Sequence, residues 1–183
     1  MDSVRVDRLV EEGLVEVTWL PFELHPEVPT EGMPWRPHSG GYVQAMAAEV
    51  GLVMKSRDRL INTRLALSTA EFARERRRFE QTHRALFKAH WEGTAELDRL
   101  EDLKRIAAEQ GLDAAELEAA LAEGRYETVL DRNREEAAGV GINAIPAHVF
   151  GRRFLVVGAH PYELFEQVVK RLEERSEGRV GDG

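Results

Sequence analysis

The spacing of apolar residues changes twice along the chain and so divides it into three parts. Over residues 2–12 the apolar positions lie on one side of a helix, and Gly13 is a suitable place for that helix to end. Residues 15–20 are rich in valine and include a tryptophan, with partial alternation, which predicts a strand. Prolines then recur from residue 21 to residue 37, too densely for a helix or a central strand.

The second part, residues 42–138, has the periodicity of helices throughout. Asp113 precedes an Ala-Ala-Glu run and is a good N-cap, and glycines stand where helices should end. The apolar spacing and these breakers together predict helices over residues 42–51, 62–77, 79–92, 98–110, 114–123 and 126–138.

The third part returns to strands and then to one helix. Two short apolar runs, residues 147–150 and 154–157, flank a turn that contains Gly151, which predicts a β-hairpin. Pro161 then opens a helix with an apolar face. The charged, glycine-rich tail from residue 173 onward is expected to fray.

Charge and composition narrow the function. The net charge of −8 argues against nucleic acid or an anionic membrane as the main partner, because both need a basic surface. No apolar stretch is long enough for a membrane helix, and the N-terminus has no apolar signal core, so we expect a cytoplasmic protein. The 183 residues include no cysteine, which removes disulfides, thiol nucleophiles and thiolate metal sites together.

Three stretches, residues 17–26, 138–146 and 154–161, carry a resemblance to the DsbA/FrnE-like oxidoreductases. The resemblance implies an α/β, thioredoxin-like fold with a large helical insertion and without its first strand. It also implies the domain division: residues 1–41 and 139–175 form an incomplete thioredoxin-like domain, 42–138 form the inserted helical domain, and 176–183 form a flexible tail.

The resemblance also shows what is different here. In that family a first strand delivers a Cys-x-x-Cys motif to the N-terminus of the first helix, whereas Asp2 to Leu9 resemble the body of that helix. We therefore expect a chain that was shortened or whose start codon was assigned internally. Leu67 and Ala147 stand where relatives often have His and Thr. Related glutathione-dependent isomerases and kappa-class transferases use a serine at the lost site, and only Ser3 lies near it.

The best candidate for a binding site is the loop that ends at Ile145-Pro146. The pattern alone favours a trans bond, since only about one X-Pro bond in twenty is cis in folded proteins, but the resemblance implies cis. A small thiol or an extended peptide, with glutathione as one such ligand, would pair with the backbone there. The expected substrate-binding residues are Ala144, Ile145, Pro146, Phe22 and His148, with no catalytic residue assigned.

Histidines offer a metal site as an alternative. His83 and His90 lie seven residues apart on one helix face, whereas helical metal pairs more often use a spacing of three or four. Aromatic neighbours favour packing or hydrogen bonding for both, so we expect no metal.

Three functions remain open. The first is an oxidoreductase-family protein that cannot exchange disulfides because it has no cysteine. The second is a glutathione-dependent isomerase or transferase that works without a protein thiol. The third is a non-catalytic interaction module, a homodimer joined through the sheet edge that the absent first strand would expose.

Overall fold

The computed structural model describes residues 2–36 and 41–177, with side chains described through residue 174. Contacts divide the chain into two compact units, Met1–Trp19 with Val140–Gly183, and Leu20–Gly139. The elements in chain order are α1 (Asp2–Glu11), β1 (Met33–Pro34), α2 (Tyr42–Glu49), β2 (Arg59–Leu60), α3 (Arg64–Glu75), α4 (Phe79–Glu92), α5 (Leu100–Glu109), α6 (Ala114–Ala122), α7 (Glu127–Gly139), β3 (Ala147–Phe150), β4 (Phe154–Val157) and α8 (Tyr162–Glu177).

The first unit packs two helices, α1 and α8, with the hairpin β3–β4. The hairpin is antiparallel, with Ala147 opposite Val157 and Phe150 opposite Phe154. Leu9 of α1 and Phe165 of α8 are fully buried, and Phe150 packs against them. Helices therefore cover the face of the hairpin that carries Phe150.

Three side chains join the C-terminal end of α1 to the first residue of α8. The Tyr162 hydroxyl donates a hydrogen bond to the Glu12 carboxylate, and Arg8 Nε donates to the same carboxylate at 2.7 Å. The Arg8 guanidinium also lies over the Tyr162 ring, 3.8 Å from its centroid. Hydrogen bonds from Tyr162 and then Arg8 lower the pKa of Glu12, so its charge is retained in this cluster.

The second unit is helical, with α3 in contact with α4, α5, α6 and α7. Phe72 of α3 packs with Leu117 of α6 in one buried cluster, and Leu103 and Ile106 of α5 belong to another. Strands β1 and β2 add a two-residue antiparallel ladder, with Met33 opposite Leu60. Among the described residues, no helix is long and apolar enough to cross a membrane.

The predicted helices and the hairpin are confirmed, with small shifts at their ends. Helix α4 spans the predicted residues, and it ends at Gly93, whose φ of 64° is the left-handed conformation that suits glycine. Asp113 caps α6 as predicted, because its carboxylate accepts hydrogen bonds from the backbone of Ala115 and Glu116. Helix α8 continues to Glu177, beyond the expected fraying at residue 173. Residues 178–183 of the expected flexible tail lie outside the described part.

The predicted strand over residues 15–20 is wrong. These residues have no regular secondary structure, and neither described sheet pairs with them. Val17 and Leu20 are exposed. Valine-rich sequence favours a strand only when a neighbouring strand supplies hydrogen bonds and packing, and no described strand pairs with this segment.

By contacts, the helical unit begins at Leu20 and ends at Gly139. The proline-rich residues 20–36 therefore group with the helices, and the domain division expected from sequence stays a prediction. Two long-range bonds explain this grouping: Asn62 donates to the Val28 carbonyl at 2.7 Å, and Arg64 donates to the Glu23 carboxylate at 3.0 Å. The proline-rich segment is thereby tied to the start of α3.

Candidate functional site

The first turn of α1 carries two charged side chains into the packed side of the first unit. Asp2 lies four residues before Val6 and seven before Leu9, so all three share one helix face. Because Val6 and Leu9 are buried, that face is the packed one, and the Asp2 side chain is only 11% exposed. Arg5 lies one turn further, with Nη1 4.0 Å from Asp2 Oδ1.

Strand β3 presents His148 to the same region. His148 and Phe150 alternate with Val149, so both rings lie on the covered face of the hairpin. The His148 ring meets the Phe165 ring edge to face, with centroids 5.0 Å apart, which fixes the plane of the imidazole.

Asp2 and His148 form a carboxylate–imidazole pair. His148 Nε2 contacts Asp2 Oδ2, and the two side chains are 14% and 11% exposed. Apart from this contact and the nearby Arg5, no partner among the described residues reaches Asp2 Oδ1, Asp2 Oδ2 or His148 Nε2. A neutral imidazole can donate one hydrogen bond to the carboxylate, and a protonated one adds an ionic attraction. The contact therefore places an acidic and a basic side chain together at the first turn of α1.

The loop before β3 carries the predicted binding residues. The Ile145–Pro146 peptide bond, for which the resemblance implies cis, is cis in the structure. The Pro146 carbonyl accepts a hydrogen bond from the Gly158 amide at 2.8 Å, and Ile145 is 52% exposed. No backbone hydrogen bond in the described part of the chain uses the amide or carbonyl of Ile145.

The structure brings four of the five expected substrate-binding residues into one unit. Ala144, Ile145 and Pro146 lead directly into β3, where His148 lies. Phe22 belongs to the second unit, and its part in binding stays a prediction.

The two histidines of the metal alternative, His83 and His90, pack against aromatic rings. The His83 ring stacks on Phe79 with centroids 5.1 Å apart and also contacts Phe87, as the packing interpretation predicts. His90 meets Trp91 edge to face. Among the side chains that the structure describes, in residues 2–36 and 41–174, no group of three or more acidic or histidine side chains could bind a metal ion.

Sequence reasoning missed Asp2 and Arg5 as members of the site. A signal was present, since Asp2 shares the helical stripe of Val6 and Leu9 and a carboxylate on a buried stripe needs a partner. Nothing in the sequence identifies this partner as His148, because the helical insertion separates the two residues along the chain.

The comparisons with known proteins agree with this architecture. The family model of the DSBA-like thioredoxin domain matches residues 3–170, so the chain belongs to that family. Mostly helical with a small sheet, it has the DsbA-like thioredoxin fold with its helical insertion.

Two relatives illustrate the family. The crystal structure of the probable DsbA oxidoreductase SCO1869 from Streptomyces coelicolor superposes with a TM-score of 0.83 at 26% identity, covering 93% of this chain and 82% of that one. The uncharacterized protein YwbO of Bacillus subtilis (strain 168) is 28% identical over 172 residues, 88% of this chain and 84% of that protein.

Proposed function

We propose that this chain is a DsbA-like binding protein that does not itself exchange disulfides. The observation that carries the proposal is the partly buried Asp2–His148 pair at the first turn of α1, the helix end at which the family resemblance puts the redox motif. Disulfide exchange proceeds through attack by a thiolate, and the 183 residues contain none. A carboxylate and an imidazole cannot form the mixed disulfide that exchange requires.

The ligand we propose is an extended peptide or a peptide-like thiol such as glutathione. The exposed Ile145 leaves its backbone amide and carbonyl available, and these are the groups that pair with an added strand. Pro146 contributes no amide, and its carbonyl is already bonded to Gly158, so the ligand would pair with Ile145.

Titration of the ¹⁵N-labelled protein with S-methylglutathione tests the proposed binding. We expect saturable shifts at the amides of Ala144, Ile145 and Ala147, and none with free glycine, which has no peptide group to pair with the loop, at the same concentration. Ile145→Arg should weaken binding about tenfold by obstructing the loop, a free-energy change of about 1.4 kcal/mol.

Val140→Arg is the matched control, since Val140 is 62% exposed in the same unit and precedes the loop. It should bind like the parent chain. Shifts that are absent from residues 144–147, or equal losses in both variants, would overturn the binding proposal. Turnover of a glutathione-dependent substrate would instead favour the isomerase or transferase alternative.

A second candidate is association of two copies through the outer face of the hairpin. Val149 and Leu155 are cross-strand partners, so they share a face with Val157, and the three are 54%, 40% and 37% exposed. A contiguous, exposed apolar strip is typical of a protein–protein contact. A second copy of the chain presents the same strip, and two-fold homodimers are the commonest assemblies.

Light scattering tests the association directly. The parent chain should have the mass of two copies, and Val149→Lys should have the mass of one while keeping its helical circular dichroism. A parent chain with the mass of one copy at high concentration would rule out this candidate.

A further inference from the structure

Half of the residues that line a cleft in the helical unit are cations. Residues from the segment between α2 and α3 and from the segment between α4 and α5 enclose a cavity of about 400 Å³. Its charged lining consists of Lys55, Arg57, Arg59 and Arg99 with the carboxylates of Asp58 and Glu96. Four positive charges against two negative ones is an unusual local balance in a chain whose net charge is −8.

Two of these arginines are held in place by the protein itself. Arg57 donates to the His90 carbonyl at 2.9 Å and to Glu96 Oε2 at 2.5 Å. Arg59 donates to the Glu31 carbonyl at 2.5 and 3.1 Å and to the Asp98 carboxylate. These bonds orient both guanidinium groups before any ligand arrives, which reduces the entropy lost on binding.

The carboxylate of Glu96 does not repel an anion as strongly as its position suggests. Its Oε2 accepts from Arg57 and also lies 3.4 Å from Arg59 Nη1. Asp98, whose carboxyl group is 3% exposed, is likewise paired with Arg59, so these two guanidinium groups compensate two negative charges. Asp102, on which the charge of Arg99 acts, is itself paired with Arg105. With these two pairs included, the cleft keeps an excess of one positive charge.

The two remaining cations are available to a ligand. The side chains of Lys55 and Arg99 are exposed and make no hydrogen bond within the described part of the chain. A hydrogen bond from the Glu96 amide and, to a smaller extent, the charge of Arg99 lower the pKa of Asp102. That carboxylate is itself hydrogen-bonded to Arg105. The backbones of both residues are fixed, because the Lys55 amide donates to the Trp91 carbonyl at 2.8 Å and the Arg99 amide donates to the Glu96 carbonyl at 3.0 Å. Two exposed cations therefore lie on anchored backbone beside two oriented arginines.

We propose that this cleft binds a small phosphate-bearing anion, with Lys55 and Arg99 making the direct ionic contacts. Arginine forks and lysine ammonium groups are the side chains that recognise phosphate oxygens, and a volume of about 400 Å³ lies within the range of small-molecule sites. The cleft belongs to the helical unit and the Ile145 loop to the other unit, so this proposal stands independently of the function proposed above.

Isothermal titration with inorganic pyrophosphate at low salt tests the proposal on the full chain. We expect saturable one-to-one binding that weakens as salt is added, with ¹⁵N shifts at Ser56 and Gly93, which also line the cleft. The double variant Lys55→Gln/Arg99→Gln should bind at least about tenfold more weakly, since hydrogen bonds to charged groups are among the stronger ones.

The matched control is Arg132→Gln/Lys170→Gln, which removes the same charge at two exposed positions outside the cleft. It should bind pyrophosphate like the parent chain. Equal weakening in both double variants would mean unspecific attraction and would overturn the proposal, as would the absence of shifts at Ser56 and Gly93. Urea midpoints check that both variants are folded.

Discussion

Arg64 Nη1 donates a hydrogen bond to Glu23 Oε2 at 3.0 Å, and Glu23 is only 5% exposed. The same guanidinium donates to Asp131 Oδ1 at 3.0 Å, so one arginine at the start of α3 joins the proline-rich segment to α7. Arg134 Nη1 adds a second cation 3.7 Å from Glu23. Removal of one partner from such a buried ion pair costs free energy of folding, because the charge that remains loses its compensation inside the protein.

Replacement of Glu23 by alanine should therefore destabilise the chain. We expect a loss of about 2–4 kcal/mol in the free energy of unfolding, near the lower part of the range for broken buried pairs because Arg64 is partly exposed. Urea unfolding followed by circular dichroism measures it. Glu27→Ala is the control, since Glu27 is 67% exposed, and it should change stability by no more than about 0.5 kcal/mol. Equal effects at the two positions would contradict the role given to Glu23.

The Asp2–His148 contact should be energetically coupled. His148→Ala leaves the Asp2 carboxylate, among the described residues, with Arg5 at 4.0 Å, and it removes a ring from Phe165, so we expect a loss of about 2–4 kcal/mol. A double-mutant cycle with Asp2→Ala separates the two causes, and the coupling between the side chains should exceed about 1 kcal/mol.

The exposed pair of His25 with Glu27 serves as the control for that cycle. Its side chains are 40% and 67% exposed, and the coupling measured there should be about 0.5 kcal/mol or less. Similar coupling free energies in both cycles would mean that the Asp2–His148 contact stabilises the fold no more than an exposed pair does.

His90 should make stability depend on pH. Burial, and then the charge of Arg57, lower the pKa of His90 to about 4, against an ordinary value of 6.5. Between these two values the unfolded chain binds a proton at His90 that the folded chain does not. The free energy of unfolding therefore falls as pH falls from about 6.5 to about 4.

We expect this group to account for about 1–3 kcal/mol between pH 7 and pH 4, a range that allows for partial solvent screening. Urea unfolding over that range compares the parent chain with His90→Gln, which should lack this part of the slope. An NMR titration of the ring locates its pKa independently. Identical slopes in the two proteins, or a ring that titrates near 6.5, would refute the assignment.

The elements that sequence alone predicts well are those whose stability comes from local pattern. Helix α4 and the hairpin β3–β4 follow from apolar periodicity and from glycines at their ends. The failure over residues 15–20 has the opposite origin, because a strand depends on a neighbour that local sequence does not specify.

The candidate site was predictable only in part for a similar reason. Its loop at Ile145-Pro146 follows from a family resemblance, and His148 follows from its position near that loop. The contacts of Asp2 with His148 and of Glu23 with Arg64 join residues far apart in sequence, so no local spacing of residues predicts them. Only a charged residue on an otherwise buried stripe points to such a contact.

The claim that this DsbA-like chain does not exchange disulfides is tested most directly by insulin reduction. The purified 183-residue protein is mixed with insulin and dithiothreitol, and turbidity is compared with a protein-free blank and with a Cys-x-x-Cys thioredoxin as the positive control. We predict a time course that matches the blank at every protein concentration, because no thiolate is present to attack the disulfide. Acceleration that scales with protein and survives repurification would contradict the account.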